Sequence, residues 1–167
     1  MPVRVEGVLA PPRELGAGVV RVDIRLEADP GPVLAGQYVL LVHPDGTTIP
    51  FSLASPPRLL PQLTLHYRST AGTDDARRMD EILARPGPIT VELGHGDCGV
   101  RAPLARPIVM VAGGTGIAQA RSIALELAAQ TDQDLILYWG ARSIDDLYAR
   151  EEFDALAARS ARFRWIA

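Results

Sequence analysis

An apolar run leads directly into a glycine-rich turn in Pro107-Ile-Val-Met-Val-Ala-Gly-Gly-Thr-Gly-Ile117. A continuous apolar run of this kind is typical of a parallel strand that is covered on both faces. After it, residues 117–129 carry apolar side chains at the spacing of one helix face. The segment therefore predicts a strand, a tight turn and a helix, which together open a parallel α/β unit.

The same alternation continues to the end of the sequence. Leu135–Trp139 is predicted to form a second buried strand, and Ile144–Ala158 to form one or two helical pieces. Phe163–Ala167 begins a third strand. We therefore predict that residues 106–167 form a partial Rossmann-like parallel α/β domain, equivalent to the first half of a doubly wound fold. Because the third strand would present an open sheet edge, we expect a homodimer or strand exchange through Phe163–Ala167.

Residues 1–101 have a different sequence pattern, which predicts short strands separated by glycine and proline turns. In Val20–Leu26, apolar residues alternate with charged ones, as in a strand with one face buried and the other in water. Thr73–Leu83 interrupts this pattern with a helix, for which Thr73 is the expected N-cap. The pattern predicts an N-terminal antiparallel Greek-key β-barrel over residues 1–101. The other strands predicted for it are Val3–Val8, Tyr38–Val42, Leu63–Tyr67 and Ile89–Leu93.

Composition and charge exclude several classes of function. The 167 residues carry a formal net charge of -3, so no basic stripe can supply the counterion release that drives binding to nucleic acid or to anionic membranes. No apolar run reaches the roughly 18 residues that span a bilayer, and the first residues lack the apolar core of a signal peptide. We expect a cytoplasmic protein without nucleic-acid or membrane partners.

Cys98 is the single cysteine of the chain. One thiol cannot form an internal disulfide, and it cannot supply the four thiolates that an iron–sulfur cluster usually needs. Because no histidine or lysine stands beside it in the sequence, we interpret Cys98 as structural. Electron-transfer subunits with iron–sulfur clusters are therefore disfavoured, and no metal site is predicted.

The glycine cluster indicates a nucleotide site. Gly113, Gly114 and Gly116 let the backbone approach a phosphate closely, and the N-H groups of the following helix stabilise its negative charge. The strict dinucleotide fingerprint asks for a third glycine where this chain has Gln119. A tight strand-to-helix turn without a ligand therefore remains the alternative interpretation.

Arg142 follows the second predicted strand, where a Rossmann site distinguishes its nucleotides. An acid at this place usually holds the ribose 2'-hydroxyl of NAD, whereas an arginine suits the 2'-phosphate of NADP. Arg142 therefore favours NADPH, or tolerance of both nucleotides. A solvated charge at a strand end is the alternative.

Five short segments along the chain resemble, in order and at similar spacing, the signatures of NAD(P)H:flavin oxidoreductases in the ferredoxin-NADP reductase superfamily. The resemblance is closest to the bacterial group that reduces free riboflavin, FMN and FAD, and it covers nearly the whole chain. The segments are Gly36-Gln-Tyr38, Pro50-Phe-Ser-Leu-Ala-Ser55, Gly113-Gly-Thr-Gly-Ile117, Ala120-Arg-Ser-Ile123 and Tyr138-Trp-Gly-Ala-Arg142.

The resemblance implies a flavin site in the barrel. The segment Pro50, Phe51, Ser52, Leu53 and Ala54 would run beside the isoalloxazine ring. The hydroxyl of Ser52 would hydrogen-bond near N5, the atom that receives the hydride, because a neutral hydroxyl can both donate and accept.

The resemblance also implies how the second cofactor lies against the first. The segment His66, Tyr67 and Arg68 would follow the ring and the ribityl chain, and Gly113–Gly116 would receive the nicotinamide and the pyrophosphate of NAD(P)H. We expect Ser52 and Thr115 to face each other across the cleft in which the hydride passes. Hydride transfer between two cofactors needs placement and no general base.

No histidine is therefore given a catalytic role. We interpret His43, His66 and His95 as turn or surface residues.

Two positions depart from the family pattern in the flavin site. Ile49 stands where the family usually has an arginine that binds the flavin phosphate or ribityl oxygens, and no Gly-x-x-Ser/Thr stretch for a pyrophosphate is evident at Ser69–Thr73. Losing one charge-assisted hydrogen bond costs about 1.5 to 3 kcal/mol. We predict weak binding of FMN, FAD or riboflavin, with little preference for FMN over riboflavin, and a flavin that exchanges as a substrate.

The leading hypothesis is thus NAD(P)H-dependent reduction of flavin by hydride transfer to N5. A second hypothesis is the reductase component of an oxygenase system, which would pass electrons to an oxygenase or another acceptor. A third is a non-catalytic module that binds flavin or nucleotide.

Overall fold

The computed structural model describes residues 2–167, which form two sheets. The first sheet is antiparallel throughout and has the partial order β2-β3-β1-β7-β4-β5, with β6 paired to the free side of β3. Its strands are β1 (Val3–Leu9), β2 (Arg13–Gly16), β3 (Val19–Leu26), β4 (Tyr38–Val42), β5 (Thr48–Ser52), β6 (Gln62–Arg68) and β7 (Gly87–His95).

The first sheet curls until its two ends meet. The backbone N-H groups of Ala54 and Ser55, just after β5, donate to the carbonyl oxygen of Thr64 on β6 at 2.9 and 3.3 Å. The result is a partly open barrel around one apolar core. The predicted N-terminal antiparallel barrel is confirmed.

Strand β3 illustrates how the sequence builds this core. Val22, Ile24 and Leu26 are buried, whereas the intervening Arg25 is exposed and Asp23 is half-buried. This alternation is the one that the sequence predicts, because successive side chains of a strand point to opposite faces.

Helix α1 (Asp74–Leu83) covers one side of the barrel and begins as predicted. The Thr73 hydroxyl accepts a hydrogen bond from the backbone N-H of Ala76 at 3.1 Å. Met79 and Ile82 on its inner face are buried in the barrel core. The cap and the apolar spacing together set the start and the orientation of this helix.

Strand β5 is not among the strands that the sequence predicts, and it contains Pro50. Pro50 lacks an N-H donor and is tolerated at the border of a sheet. β5 lies at the end of the strand path and pairs only with β4 in the ladder. Its last residue is Ser52, so the strand delivers the predicted flavin segment to the rim of the barrel.

The second sheet is parallel and consists of β8 (Ile108–Gly113), β9 (Leu135–Gly140) and β10 (Phe163–Ile166), in the order β10-β9-β8. One face of it packs against two helices, α2 (Ile117–Leu127) and α3 (Arg150–Arg159). This is expected for a partial Rossmann-like unit, and this part of the fold prediction is confirmed. Short 3-10 turns cover Pro57–Leu59, Gly114–Gly116 and Ile144–Asp146.

One expectation about β8 is wrong. The apolar run was predicted to be covered on both faces, but Val109 and Val111 are 59% and 82% exposed. Met110 between them is buried against the helices. Within residues 2–167, both helices contribute to the core on the Met110 face, which leaves the valine face open to solvent.

Side chains of α2 tie the two sheets together. Arg121 Nη1 donates to the carbonyl oxygen of Ala54 at 2.6 Å, and Ser122 Oγ donates to the carbonyl oxygen of Ser55 at 2.8 Å. Gln119 donates to the carbonyl oxygen of Gly36 at 2.6 Å. These bonds fix the parallel sheet beside the open rim of the barrel. Within the part of the chain that is described, no helix is long and apolar enough to cross a membrane.

Candidate functional site

A cavity of about 320 Å³ lies between the barrel rim and the turn that precedes α2. Strands β5 and β6, the start of α1 and the start of α2 each contribute to its wall. Its lining includes eight of the predicted site residues: Pro50, Phe51, Ser52, His66, Tyr67, Arg68, Thr115 and Gly116. We call it the rim cavity.

Ser52 and Thr115 both line the rim cavity, although they are distant in sequence. Ser52 is the last residue of β5, and Thr115 lies in the 3-10 turn between β8 and α2. The barrel and the parallel sheet thus each bring one hydroxyl to a shared cleft. This is the arrangement that hydride transfer between two stacked cofactors would need.

Leu53 and Ala54 do not line the rim cavity. The side chains of both are fully buried, and Leu53 belongs to the barrel core. The backbone of Ala54 makes two hydrogen bonds: its N-H donates to the carbonyl oxygen of Thr64, and its carbonyl oxygen accepts from Arg121. We therefore correct their expected role, from contact with a cofactor to support of the segment that presents Ser52.

The glycine turn leaves room for a ligand. A methyl group added to Gly113, Gly114 or Gly116 would meet no other atom within 4 Å. Gly114 has φ +51°, a conformation that other residues adopt only with strain. Trp139 Nε1 donates to the Gly114 carbonyl at 3.1 Å and so holds the turn in place.

A second cavity of about 370 Å³ opens beside this turn, at the carboxyl ends of β8 and β9. Ligands of open α/β sheets bind in this position. Its lining is Arg68, Gly114, Gly140, Ala141, Arg142 and Asp146. We call it the sheet-end cavity; Arg68 also lines the rim cavity and therefore stands in the wall between the two.

Asp146 is a residue that sequence reasoning missed. Its carboxylate lies 3.5 Å from Arg68 Nη2 and 3.7 Å from Arg142 Nε, and it accepts a hydrogen bond from Ser143 Oγ at 3.2 Å. Arg142 itself is 86% exposed. The arginine that was predicted to select a 2'-phosphate is therefore partly neutralised by a neighbouring acid.

His66 is buried, so its interpretation as a turn or surface residue is wrong. It is 8% exposed, and burial, with smaller contributions from nearby Arg121 and Arg21, lowers the pKa of His66 to about 3. Its Nδ1 lies 3.0 Å from the hydroxyl of Tyr148. Burial also raises the pKa of Tyr148, so the hydroxyl keeps its proton and can donate to Nδ1.

The other two histidines also have defined contacts. His43 is as buried as His66, and its ring nitrogens lie 3.0 Å from Asp45 and 3.1 Å from Glu81. His43 lies in the turn between β4 and β5, as predicted, but it is buried there and is not a surface residue. His95 is half-buried and stacks on Tyr38 with ring centres 5.3 Å apart. Neither residue lines the rim cavity or the sheet-end cavity.

Comparison with known sequences finds similarity to an oxidoreductase NAD-binding domain and to NAD(P)H-flavin reductases. Residues 110–167 match the family model described as the oxidoreductase NAD-binding domain. The chain is 36% identical over 143 residues to NAD(P)H-flavin reductase of Vibrio harveyi, covering 82% of this chain and 60% of that protein. It is 35% identical over 134 residues to reductase component 2 of terephthalate 1,2-dioxygenase of Comamonas sp., covering 80% of this chain and 40% of that protein. The chain thus spans about 60% or less of the length of these relatives.

Solved structures give the same fold. The Amycolatopsis cytochrome P450 reductase GcoB superposes with a TM-score of 0.84 at 27% identity, covering 99% of this chain and 51% of that one. Phthalate dioxygenase reductase superposes with a TM-score of 0.80 at 17% identity, covering 98% of this chain and 51% of that one. In both comparisons the barrel and the parallel sheet are matched together.

Proposed function

We propose that this chain reduces flavin with NAD(P)H, because residues 110–167 match an oxidoreductase NAD-binding domain and the chain is similar to NAD(P)H-flavin reductases. The observation that carries the proposal is the shared cleft, in which Ser52 from the barrel and Thr115 from the parallel sheet line one cavity. We propose residues 1–101 as the flavin-binding domain and residues 106–167 as part of the nucleotide-binding domain.

The rim cavity fits a flavin ring in size and chemistry. Its volume of about 320 Å³ is within the range of ligand sites, and Pro50 and Phe51 give it an apolar wall. Ser52 adds a hydroxyl that can donate or accept a hydrogen bond. A bound flavin would supply the electron-accepting chemistry, and the chain's own part is to hold the ring, orient it and keep water out.

The glycine turn fits the phosphates of a dinucleotide. The open space above Gly113, Gly114 and Gly116 lies next to the N-terminus of α2, where N-H groups favour an anion. Thr115 would then meet the nicotinamide end on the side that faces Ser52. Hydride transfer needs only that these residues hold the nicotinamide close to the flavin, and it requires no proton acceptor.

The sheet-end cavity supports use of both nicotinamide nucleotides. Arg142 can bind the 2'-phosphate of NADPH, whereas Asp146 can accept a hydrogen bond from the 2'-hydroxyl of NADH. Because Asp146 lies 3.7 Å from Arg142, both residues would face the same 2'-group of the ribose. We propose that the chain accepts NADH and NADPH with a modest difference.

The proposed acceptor of the reducing equivalents is free flavin, which would then serve an oxygenase or another electron acceptor in the cytoplasm. The similarity to reductase components of terephthalate dioxygenase supports this kind of partner. For the oligomer, we propose pairing of Phe163–Ile166 with the same strand of a second copy. Sedimentation velocity tests this, and a monomer at high concentration would contradict it.

The decisive experiment measures oxidation of NADPH and NADH by the purified chain with riboflavin, FMN or FAD added. Turnover that depends on both nucleotide and flavin is expected. Flavin binding without turnover would instead support the non-catalytic module, and absence of flavin binding would refute the proposed site.

A further inference from the structure

We propose that His66 presents a fixed hydrogen-bond donor, Nε2-H, to the rim cavity, and that Tyr148 is the positioning residue that fixes it. The inference rests on the proposed function and deepens it, since the donor would hold a carbonyl oxygen of the flavin ring. The barrel supplies the imidazole, and the segment before α3 supplies the hydroxyl that orients it.

The imidazole of His66 has one nitrogen bound to the protein and one nitrogen free. Its Nδ1 lies 3.0 Å from the Tyr148 hydroxyl. Its Nε2 makes no hydrogen bond within residues 2–167, but the unpartnered side-chain atoms that are sealed from solvent there are Arg68 Nε and His95 Nε2. The Nε2 atom of His66 is therefore accessible, and His66 lines the rim cavity, where a ligand can reach it.

The direction of the hydrogen bond to Tyr148 decides which nitrogen of His66 carries the proton. The Tyr148 hydroxyl has no other hydrogen-bond partner among residues 2–167, so Nδ1 is the acceptor that its proton can reach. A neutral imidazole that accepts at Nδ1 carries its own proton on Nε2. The reverse arrangement would leave the phenolic proton without an acceptor in this part of the chain.

Both side chains keep the protonation state that this bond needs. Burial, followed by smaller effects of Arg121 and Arg21, lowers the pKa of His66 to about 3, so the imidazole is neutral near pH 7. Burial also raises the pKa of Tyr148, so the phenol keeps its proton. A protonated imidazole has no lone pair at Nδ1, and only the neutral form can accept from the hydroxyl.

The nearby carboxylate of Asp23 does not take the Nε2 proton. Asp23 lies on β3 beside His66 and acts on its charge. Its oxygens accept hydrogen bonds from Arg21 Nε at 2.8 Å and from Thr64 Oγ1 at 2.6 Å. The carboxylate is thus engaged by other donors, which leaves the Nε2-H of His66 for a ligand oxygen.

Tyr148 is held in place by the aromatic residues of the parallel-sheet domain. Its ring packs edge-on against Trp139, with ring centres 5.4 Å apart. Trp139 in turn donates to the Gly114 carbonyl at 3.1 Å. The residue that orients His66 therefore packs against the residue that holds the glycine turn, so both proposed cofactor sites depend on one aromatic contact.

Nitrogen NMR on a chain with isotopically labelled histidine rings tests the position of the proton without any flavin. His66→Gln identifies the His66 signals by their loss, since the chain has three histidines. We expect the proton on Nε2, and Tyr148→Phe should shift the Nδ1 signal. Tyr138→Phe is the matched control, because Tyr138 is 46% exposed on the valine face, and it should leave that signal unchanged. A proton on Nδ1 of the unmodified chain would overturn the inference.

A double-mutant cycle tests whether Tyr148 acts through His66. The quantity measured is the riboflavin dissociation constant, from quenching of flavin fluorescence. His66→Leu removes the donor and should weaken binding about three- to tenfold, whereas His66→Gln keeps a side-chain N-H and should recover part of the loss. Tyr148→Phe should weaken binding about two- to fivefold in the unmodified chain and change it little in the His66→Leu background.

The outcomes separate this inference from the proposed function. Equal weakening by Tyr148→Phe in both backgrounds would overturn the inference, because a purely structural tyrosine does not depend on His66, and the proposed function would stand. Lack of riboflavin binding by the unmodified chain would overturn the proposed function and the donor role of His66 with it. The NMR measurement uses the unmodified chain, so the inference stays testable even where a variant fails to fold.

Discussion

Arg68 on the barrel and Asp146 on the parallel sheet form an ion pair, with Nη2 and Oδ1 3.5 Å apart, in the wall that separates the two cavities. Both side chains are shielded, at 27% and 17% exposure. The same carboxylate also lies beside Arg142. Asp146 thus controls how much positive charge faces the proposed nucleotide site.

Replacing Asp146 by Asn should therefore shift nucleotide preference toward NADPH. The substitution releases two arginines for a 2'-phosphate and weakens the acceptor for a 2'-hydroxyl, so we expect the NADPH-to-NADH ratio of kcat/KM to rise about tenfold. Steady-state kinetics with both nucleotides measure this. Asp145→Asn is the matched control, since the adjacent Asp145 is exposed and does not line the cavity; an equal shift in that variant would contradict the prediction.

Ser52→Ala should lower turnover more than it lowers flavin affinity. The rim cavity keeps its shape without the hydroxyl, but the orientation of the ring loses a hydrogen bond. We expect kcat to fall about tenfold or more, with a change of about threefold or less in the flavin dissociation constant. Ser52→Thr keeps a hydroxyl and should recover part of the rate; loss of binding as large as the loss of kcat would argue for a purely structural Ser52.

Gly114→Ala and Gly116→Ala should separate folding from binding in the glycine turn. Gly114 has φ +51°, so alanine there should cost about 1 kcal/mol and lower Tm by about 2–4 °C. Gly116 has φ -59°, which alanine adopts freely, and open space above it. We therefore expect Gly116→Ala to raise the KM for nucleotide with little change in Tm; thermal melts and kinetics on both variants check the contrast.

The stability of the fold should fall as the pH drops below about 6.5. His66 has its pKa lowered to about 3 by burial, so between these two values the unfolded chain binds a proton that the folded chain does not. Above the unfolded pKa both states are neutral and the contribution is constant. The free energy of unfolding should lose up to about 1.4 kcal/mol per pH unit from this group.

Urea unfolding at pH 7 and pH 5 measures this loss. His66→Gln removes the titrating group, and its stability should fall less between the two pH values than that of the unmodified chain. An equal loss in His66→Gln would show that other groups carry the acid sensitivity.

Local signals explain which parts of the fold the sequence predicts. Thr73 caps α1 as expected, because a cap is an interaction within one turn. The turn Gly114–Gly116 follows β8 as expected, because an apolar run, glycines and a helical pattern adjoin in sequence. In contrast, strand β5 was not predicted; it contains Pro50, which its place at the end of the strand path makes acceptable.

The parts that the sequence could not predict are contacts between the two sheets. β6 is buried at five consecutive residues, from Leu63 to Tyr67. Its sequence alternates apolar and polar residues, and this pattern places His66 on the outward face. The fold covers that face as well, and His66 Nδ1 meets the Tyr148 hydroxyl there. Asp146 was missed for a related reason, since its partner Arg68 is 78 residues away.

The backbone of Ala54 has two partners: its N-H donates to Thr64 and closes the barrel, and its carbonyl oxygen accepts a hydrogen bond from Arg121 on α2. The residue that closes the barrel therefore also binds the helix that covers the parallel sheet. Separating the two sheets would leave the Ala54 carbonyl oxygen without its partner. Calorimetry should record one melting event for the whole chain, and a protease should find no clip site that releases a folded barrel on its own.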